Sequence, residues 1–349
     1  MRASEHDEHV HHEPVAHVGG LWGAGLAEVS SEWSSLDAGG RWAVVIPYEG
    51  EPVFARFAEW SPECPSELIG TWPGVSEGQW NSSVDRLTYM GQVEIAREAI
   101  SRGDVYQVNV CRVLSADLPV EADIAALHVL LSVHNPAPYS ALVRLPDQDI
   151  HIACASPELY LKREGNRISS GPIKGTGTAA AELAEKDRAE NVMIVDLVRN
   201  DLSKVAEVGS VQVSGLLETE HHPGLVHLVS HVSALIAPDT RWQDITDATF
   251  PPGSISGAPK STALALIAEL EVASREFYCG AVGWVDADEG TACLAVAIRT
   301  FWRAEDQLRF GTGAGITWGS DAESEWRETE LKAAHLCSVA TKTWQADPS

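Results

Sequence analysis

Three apolar runs, at residues 139–145, 150–155 and 159–163, follow one another across gaps too short to hold a helix. Parallel neighbours need a crossover of about a dozen residues, so runs this close pair most simply as antiparallel strands. Other strand-like runs lie at 105–114, 277–285, 294–302 and 308–310, with short ones such as 42–46 nearer the start. Helices are expected over 84–102, where apolar residues recur at helical spacing and Gly103 marks a stop, and over 179–198, 261–270 and 321–343. This mixed order points to an α+β fold built on antiparallel sheets, not to a doubly wound parallel one.

The 349 residues and 44% hydrophobic content suffice for a large core. No apolar run of about 18 residues occurs, so no membrane span is expected. A formal charge of −25 repels nucleic acid and anionic membranes. It also makes an anionic ligand hard to hold without local cations or a metal. The six cysteines are scattered with no CxxC pair, which fits free thiols in a reducing cytoplasm. Residues 1–20, with His6, His9, His11, His12 and His17, read as a polar tail. Residues 21–84 read as a short strand-rich region, and 85–343 as the main domain.

Two short segments bring opposite groups near each other in sequence. Ser156-Pro157-Glu158 carries a carboxyl, and Pro172-Ile173-Lys174-Gly175-Thr176 carries an amine. Alone, Lys174 and Glu158 read as a salt bridge. They also suit a nucleophile and a general acid, provided the surroundings shift each away from its usual charge. A free lysine is only roughly 0.04% neutral at pH 7, so a nucleophilic one needs burial or neighbouring cations.

Farther on, Glu325, Glu328 and Lys332 stand at i, i+3 and i+7, on one helical face. A solvated ion-pair face is the ordinary reading. The preceding run Gly311-Thr312-Gly313-Ala314-Gly315-Ile316, read as a glycine-rich loop at the helix start, adds backbone N–H groups for an anion. Glu190 alone is a surface glutamate. Paired with Glu328 it suits Mg²⁺, which takes few protein carboxylates and keeps waters. Arg299, a cation on an apolar strand, calls for an anionic partner.

The run Glu190-Asn191-Val192-Met193-Ile194-Val195-Asp196-Leu197-Val198-Arg199-Asn200-Asp201-Leu202 resembles a signature of the chorismate-utilising enzymes. His227-Leu228-Val229-Ser230, Gly253-Ser254-Ile255-Ser256-Gly257-Ala258-Pro259-Lys260, Ala297-Ile298-Arg299-Thr300, Gly313-Ala314-Gly315-Ile316 and the Glu325, Glu328, Lys332 triad resemble further motifs of that family, in family order. The resemblance covers residues from about 85 to 340. It implies large antiparallel sheets packed as a sandwich with helices outside. It implies Glu190 and Glu328 as Mg²⁺ ligands, with Glu325 close by through water. Arg299, Lys332 and the Gly313, Ala314 and Gly315 backbone would hold the carboxylates of chorismate, and His227 and Tyr278 would line its ring. Ser254 and Thr176 fall in the same motifs as further substrate contacts.

Gln107 matches the position where water-adding relatives carry a lysine. An amide is no base at pH 7, so the resemblance is to the ammonia-using members. Lys174 matches the aminodeoxychorismate-forming ones. The implied chemistry is attack of Lys174 on C2 of chorismate, protonation of the leaving C4 hydroxyl by Glu158, and addition of ammonia at C4. Anthranilate formation and a non-catalytic chorismate-binding role are the alternatives. The segment before the core is short beside the family's, and no tryptophan-binding sequence is found, so tryptophan feedback is not expected. No glutaminase nucleophile motif is found either, so ammonia is expected from a separate glutaminase subunit or from solution.

Overall fold

The short connectors do give antiparallel pairing, and every pairing between named strands among the described residues is antiparallel, with one isolated parallel bridge at Thr71 and Ala122. The computed structural model describes residues 12–343 except 77, 79, 178–184 and 223–224, with backbone alone at 176–177, 185–187, 221–222 and 225–227. Among the described residues, eighteen strands join in one continuous ladder. One end is the strand Gln107–Asp117, paired with Gln307–Ile316. Next come Thr300–Ala304, Ile150–Ser156 and Tyr139–Leu145. The ladder then passes through Val15–Val18, Leu21–Ser30, Val53–Ser61 and Arg41–Ile46. It returns through Ala281–Asp286, Thr291–Val296, Leu159–Glu164, Arg167–Gly171 and Leu225–Leu235.

The two arms of this ladder fold against each other. Val143, Ile152 and Cys154 from one arm share a buried cluster with Val44, Val282 and Leu294 from the other. This is the expected sandwich, with helices on its outside. Arg86–Arg102 starts at Asp85, whose side chain accepts from Thr88 N, and stops at Gly103 in the left-handed region. Ala322–Thr341 starts at Asp321 in the same way, accepting from Ser324 N. Lys260–Leu270 follows Pro259, and the helix expected from 179 is present over Glu185–Ser203, positions 179–184 lying outside the described residues. No described helix is long and apolar enough to cross a membrane.

The polar tail is shorter than the sequence reading made it. Val15, Ala16 and Val18 are 0% exposed. Their strand is paired on both edges, and Gly19 and Gly20 turn it into the next with φ of 60° and 75°. Histidine content masked the alternation. His17 stacks on Trp22 with centroids 4.4 Å apart, and its Nδ1 lies 2.8 Å from His128 Nε2. Burial lowers the pKa of both, that of His128 to about 3. The strands of the early region are also woven into the main sheet, Arg41–Ile46 pairing directly with Ala281–Asp286.

A fully buried ion pair ties this N-terminal strand to the helix Ile124–His134. Arg144 Nη1 lies 2.5 Å from Asp123 Oδ2, and Arg144 Nη2 donates to Glu13 O at 2.7 Å and Leu68 O at 2.8 Å. Asp123 also caps the helix, accepting from Ala125 N. Removing one partner of a buried pair strands the other. Asp123→Ala is expected to lower stability by about 3–5 kcal/mol in urea unfolding; a loss below about 1 kcal/mol would show that the pair does not anchor this edge.

Candidate active site

The Pro-Ile-Lys-Gly-Thr run owes its shape to its own residues. Pro172 separates the strand Arg167–Gly171 from Ile173–Gly177, and both run along Leu225–Leu235. The register slips between Lys174 and Thr176, and Gly175 between them has φ of 76°. A glycine at such a bulge lets the strand re-aim its neighbour without a Cβ clash. Glu158 sits in the connector between Ile150–Ser156 and Leu159–Glu164, where Ser156 Oγ accepts from Glu158 N at 3.1 Å. Glu158 is 5% exposed.

The two groups are shifted in opposite senses. Burial raises the Glu158 carboxyl, and the Ser254 hydroxyl, Lys174, the Ile173 N–H and Lys332 offset this only in part. Burial lowers the Lys174 amine. Glu190 and Glu158 pull it up, Lys332 down, and Glu328 up, with a net downward shift. Lys174 thus feels Glu190, Glu158, Lys332 and Glu328 at once, and Glu158 feels Lys174 and Lys332. Ser254 Oγ is buried and faces Glu158 closely enough to lower its carboxyl, but no hydrogen bond of good geometry closes between them.

The floor of the pocket is the pair of strands at the head of the ladder. A Cβ built on Gly315 would stand 3.0 Å from Gln107 Nε2 and 3.3 Å from Lys174 Nζ. The bare backbone of Gly315 therefore faces both groups. Gln107 is 0% exposed, yet neither its Nε2 nor its Oε1 has a partner among the described residues. A buried amide of this kind marks a place where a ligand completes the hydrogen bonding. Tyr278 covers Gly311, where an added Cβ would lie 2.0 Å from its ring.

The glycine-rich run is not a loop at a helix start. It is the second half of the strand Gln307–Ile316, and the helix begins only at Ala322. Cross-strand pairing to Val108–Asp117 holds it extended. Past Phe310 its pairing with Thr300–Ala304 ends, so its outer edge has no strand neighbour among the described residues. Backbone N–H groups on that edge remain suited to an anion. Lys332 Nζ donates to Gly313 O at 3.0 Å and lies 2.6 Å from Glu328 Oε1.

Arg299 does not lie on a continuous strand either. The expected run 294–302 is two strands, Thr291–Val296 and Thr300–Ala304, which pair in different arms of the ladder. Arg299 sits at the crossing with φ of 51°. Burial alone lowers its pKa, and its guanidinium has no ion pair or hydrogen bond among the described residues. A part-buried cation of this kind is chemically suited to an anionic ligand.

Mg²⁺ fits the donor set. Glu190 and Glu328 come from separate helices and both act on Lys174. One or two carboxylates suffice for this ion. No group of three or more His, Cys, Asp or Glu forms a tighter cage among the described residues. Glu325 is 3% exposed, and burial first, then the Cys111, Glu325 and Glu328 charges, raise the pKa of Tyr89. His227 pairs by backbone with Thr176, but both side chains lie outside the described residues. Three site-bordering residues escaped the sequence reading: Cys111, Glu271 and Arg275. The only hint was the opposite charge of Glu271 and Arg275 four residues apart.

Residues 59–338 match the family model described as chorismate binding enzyme. The chain is 38% identical over 275 residues to anthranilate synthase component 1 1 of Haloarcula marismortui, covering 75% of this chain and 55% of that one. It is 37% identical over 262 residues to aminodeoxychorismate synthase component 1 of Salmonella typhimurium, covering 72% and 57%. The chain thus spans little more than half the length of these curated relatives. Among solved structures, anthranilate synthase component I from Streptococcus pneumoniae superposes with a TM-score of 0.72 at 26% identity, over 86% of this chain and 80% of that one.

The packing of Tyr278 on Gly311 is directly testable. Gly311→Ala drives a methyl into the ring, and overpacking of this kind costs about 1–3 kcal/mol or more. A clear drop in the thermal midpoint is expected. An unchanged midpoint would contradict the contact.

Proposed function

The chain belongs to the chorismate binding enzymes, and we propose that it aminates chorismate at C4, giving 4-amino-4-deoxychorismate. One observation carries this reading. The Lys174 amine, lowered by burial, lies against Gly315 beside the unpartnered Gln107 amide, with the raised Glu158 carboxyl in the same pocket. A partly neutral amine and a partly protonated acid are what nucleophilic displacement of a hydroxyl needs.

Arg299, Lys332 and the backbone of Gly313, Ala314 and Gly315 hold the substrate's two carboxylates, with Tyr278, His227, Ser254 and Thr176 around the ring. Glu190 and Glu328 would hold Mg²⁺, with Glu325 through water, and the ion would supply positive charge for a substrate carboxylate. Lys174 Nζ then bonds to C2. The ring double bonds shift, the C4–O bond breaks, and Glu158 gives its proton to the departing oxygen, which leaves as water. Ammonia adds at C4, the double bonds shift back, and the C2–N bond to Lys174 breaks. The proton shed by the incoming nitrogen returns to Glu158. The enolpyruvyl ether stays intact throughout. Gln107 supports ammonia over water as the nucleophile, since an amide does not take a proton from water at pH 7.

Relatives that share this stretch are named as component 1 of their synthases, which supports a separate ammonia-supplying subunit, a glutaminase. A 4-amino-4-deoxychorismate product would serve 4-aminobenzoate synthesis for folate in the cytoplasm; no described helix is long and apolar enough to cross a membrane. Relatives of both names make anthranilate formation the second reading, and Lys174 favours the first.

Lys174→Ala is expected to lower kcat at least about 100-fold with ammonia saturating, and Glu158→Gln by a similar factor. The pH profile carries the sign of each shift. Lys174 must be neutral and Glu158 protonated, so kcat/KM is bell-shaped, with both limbs inside the interval from about 4.3 to about 10.4 that unshifted groups would set. Glu158→Gln should leave a single limb. Wild-type turnover by Lys174→Ala would remove the covalent step, and limbs at the unshifted values would remove the assignment of the two groups.

A further inference from the structure

The strand that carries Gln107 has an edge that no strand covers along its middle. Gln107–Asp117 pairs along one side with Gln307–Ile316. On the other side Gly257–Ala258 meets Val108 and Gln107, and Asn81–Ser82 meets Ser115 and Leu114. Ser83 closes on Val113 by backbone and side chain. Between these lie Asn109 and Cys111, 7% and 5% exposed, whose backbone groups need partners.

A buried ion pair supplies them. Arg275 Nη2 donates to Asn109 O at 2.9 Å, and Glu271 Oε1 accepts from Cys111 N at 2.9 Å. The two side chains hold each other through contacts of 2.7 Å and 2.6 Å. Arg275 Nη1 also donates to Ile255 O at 2.9 Å, the residue after Ser254. The Tyr48 ring backs the guanidinium at 4.6 Å. The Cys111 thiol in turn packs against Gly313, where an added Cβ would stand 2.6 Å from Sγ. One ion pair thus links the strand of Gln107, the turn of Ser254 and the strand of Gly313.

We propose that Arg275 and Glu271 are positioning residues. They stand in for a missing strand and fix the spacing of three pocket walls to one another. The inference rests on the proposed function only in that chorismate reacts in this pocket. Small displacements matter there, since a misplacement of about 1 Å can cost about 100-fold in rate.

The test separates position from bulk stability. A single alanine would leave one charge buried alone and risks unfolding, whereas replacing both members with apolar residues is often tolerated. In the double variant Glu271→Leu, Arg275→Met the walls stay filled, but Asn109 O and Cys111 N lose their partners. Expected are a thermal midpoint lowered by the unpaired backbone groups but still above the assay temperature, amide exchange at Cys111 at least about tenfold faster by NMR or mass spectrometry, and kcat for chorismate consumption, measured on the folded fraction, lower by at least about tenfold. Arg275→Lys keeps the charge but cannot bridge Asn109 O and Ile255 O together, so it should also lower kcat while leaving the fold intact. It carries the test if the double variant does not fold.

Wild-type kcat in both the double variant and Arg275→Lys would overturn the proposal, as would unchanged exchange at Cys111 in the double variant. Consumption is read whichever product forms, so failure of the C4 assignment leaves these outcomes distinct. If the wild-type protein consumes no chorismate under any ammonia supply, the positioning role for that reaction falls with it.

Discussion

Burial of an amine and a carboxyl in one pocket is the constraint to which the rest of the site answers. Desolvation disfavours the charged form of each, lowering Lys174 and raising Glu158. Their mutual attraction works the other way and would restore an ordinary salt bridge. Here desolvation wins for both. The sandwich makes this possible, because the two groups reach the pocket from connectors and bulges at the ends of strands packed on both faces.

The same geometry bears on how an acidic protein could hold the anion proposed as its substrate. With a net charge of −25 the long-range field is unfavourable. The local balance differs. Lys174, Lys332 and Arg299 serve the pocket, and Arg299 has no ion-pair partner among the described residues. Glu190 and Glu328 would be repulsive to a carboxylate on their own, and a divalent cation between them would reverse that. In the proposed reaction binding and chemistry are therefore linked through the same few charges, which helices, strands and connectors bring together.

Much of this architecture was legible in the chain. Gly103 and the start at Asp321 marked helix ends that the structure keeps, and closely spaced apolar runs gave the antiparallel pairing. Lys174, Glu158, Gln107 and Gly315 were named from sequence and converge in space. Other features were hidden for physical reasons. A buried strand carrying His17 looked like tail because its histidine packs against Trp22 and His128 inside the molecule. The glycine-rich run looked like a loop because glycine has low strand preference, yet Tyr278 and Cys111 leave no room for side chains at Gly311 and Gly313. The break at Arg299 depends on a change of strand partners that no local pattern encodes. Arg275 and Glu271 act on backbone groups more than 150 residues away in sequence, beyond the reach of any spacing rule.

The most direct measurement is product identity. Purified protein would be given chorismate, Mg²⁺ and ammonium at mildly alkaline pH, with and without an aminodeoxychorismate lyase, and the products read by mass spectrometry. The account predicts a product that retains the enolpyruvyl group and yields 4-aminobenzoate only when the lyase is present. Anthranilate formed without the lyase would contradict it, because Lys174 would then not direct amination to C4.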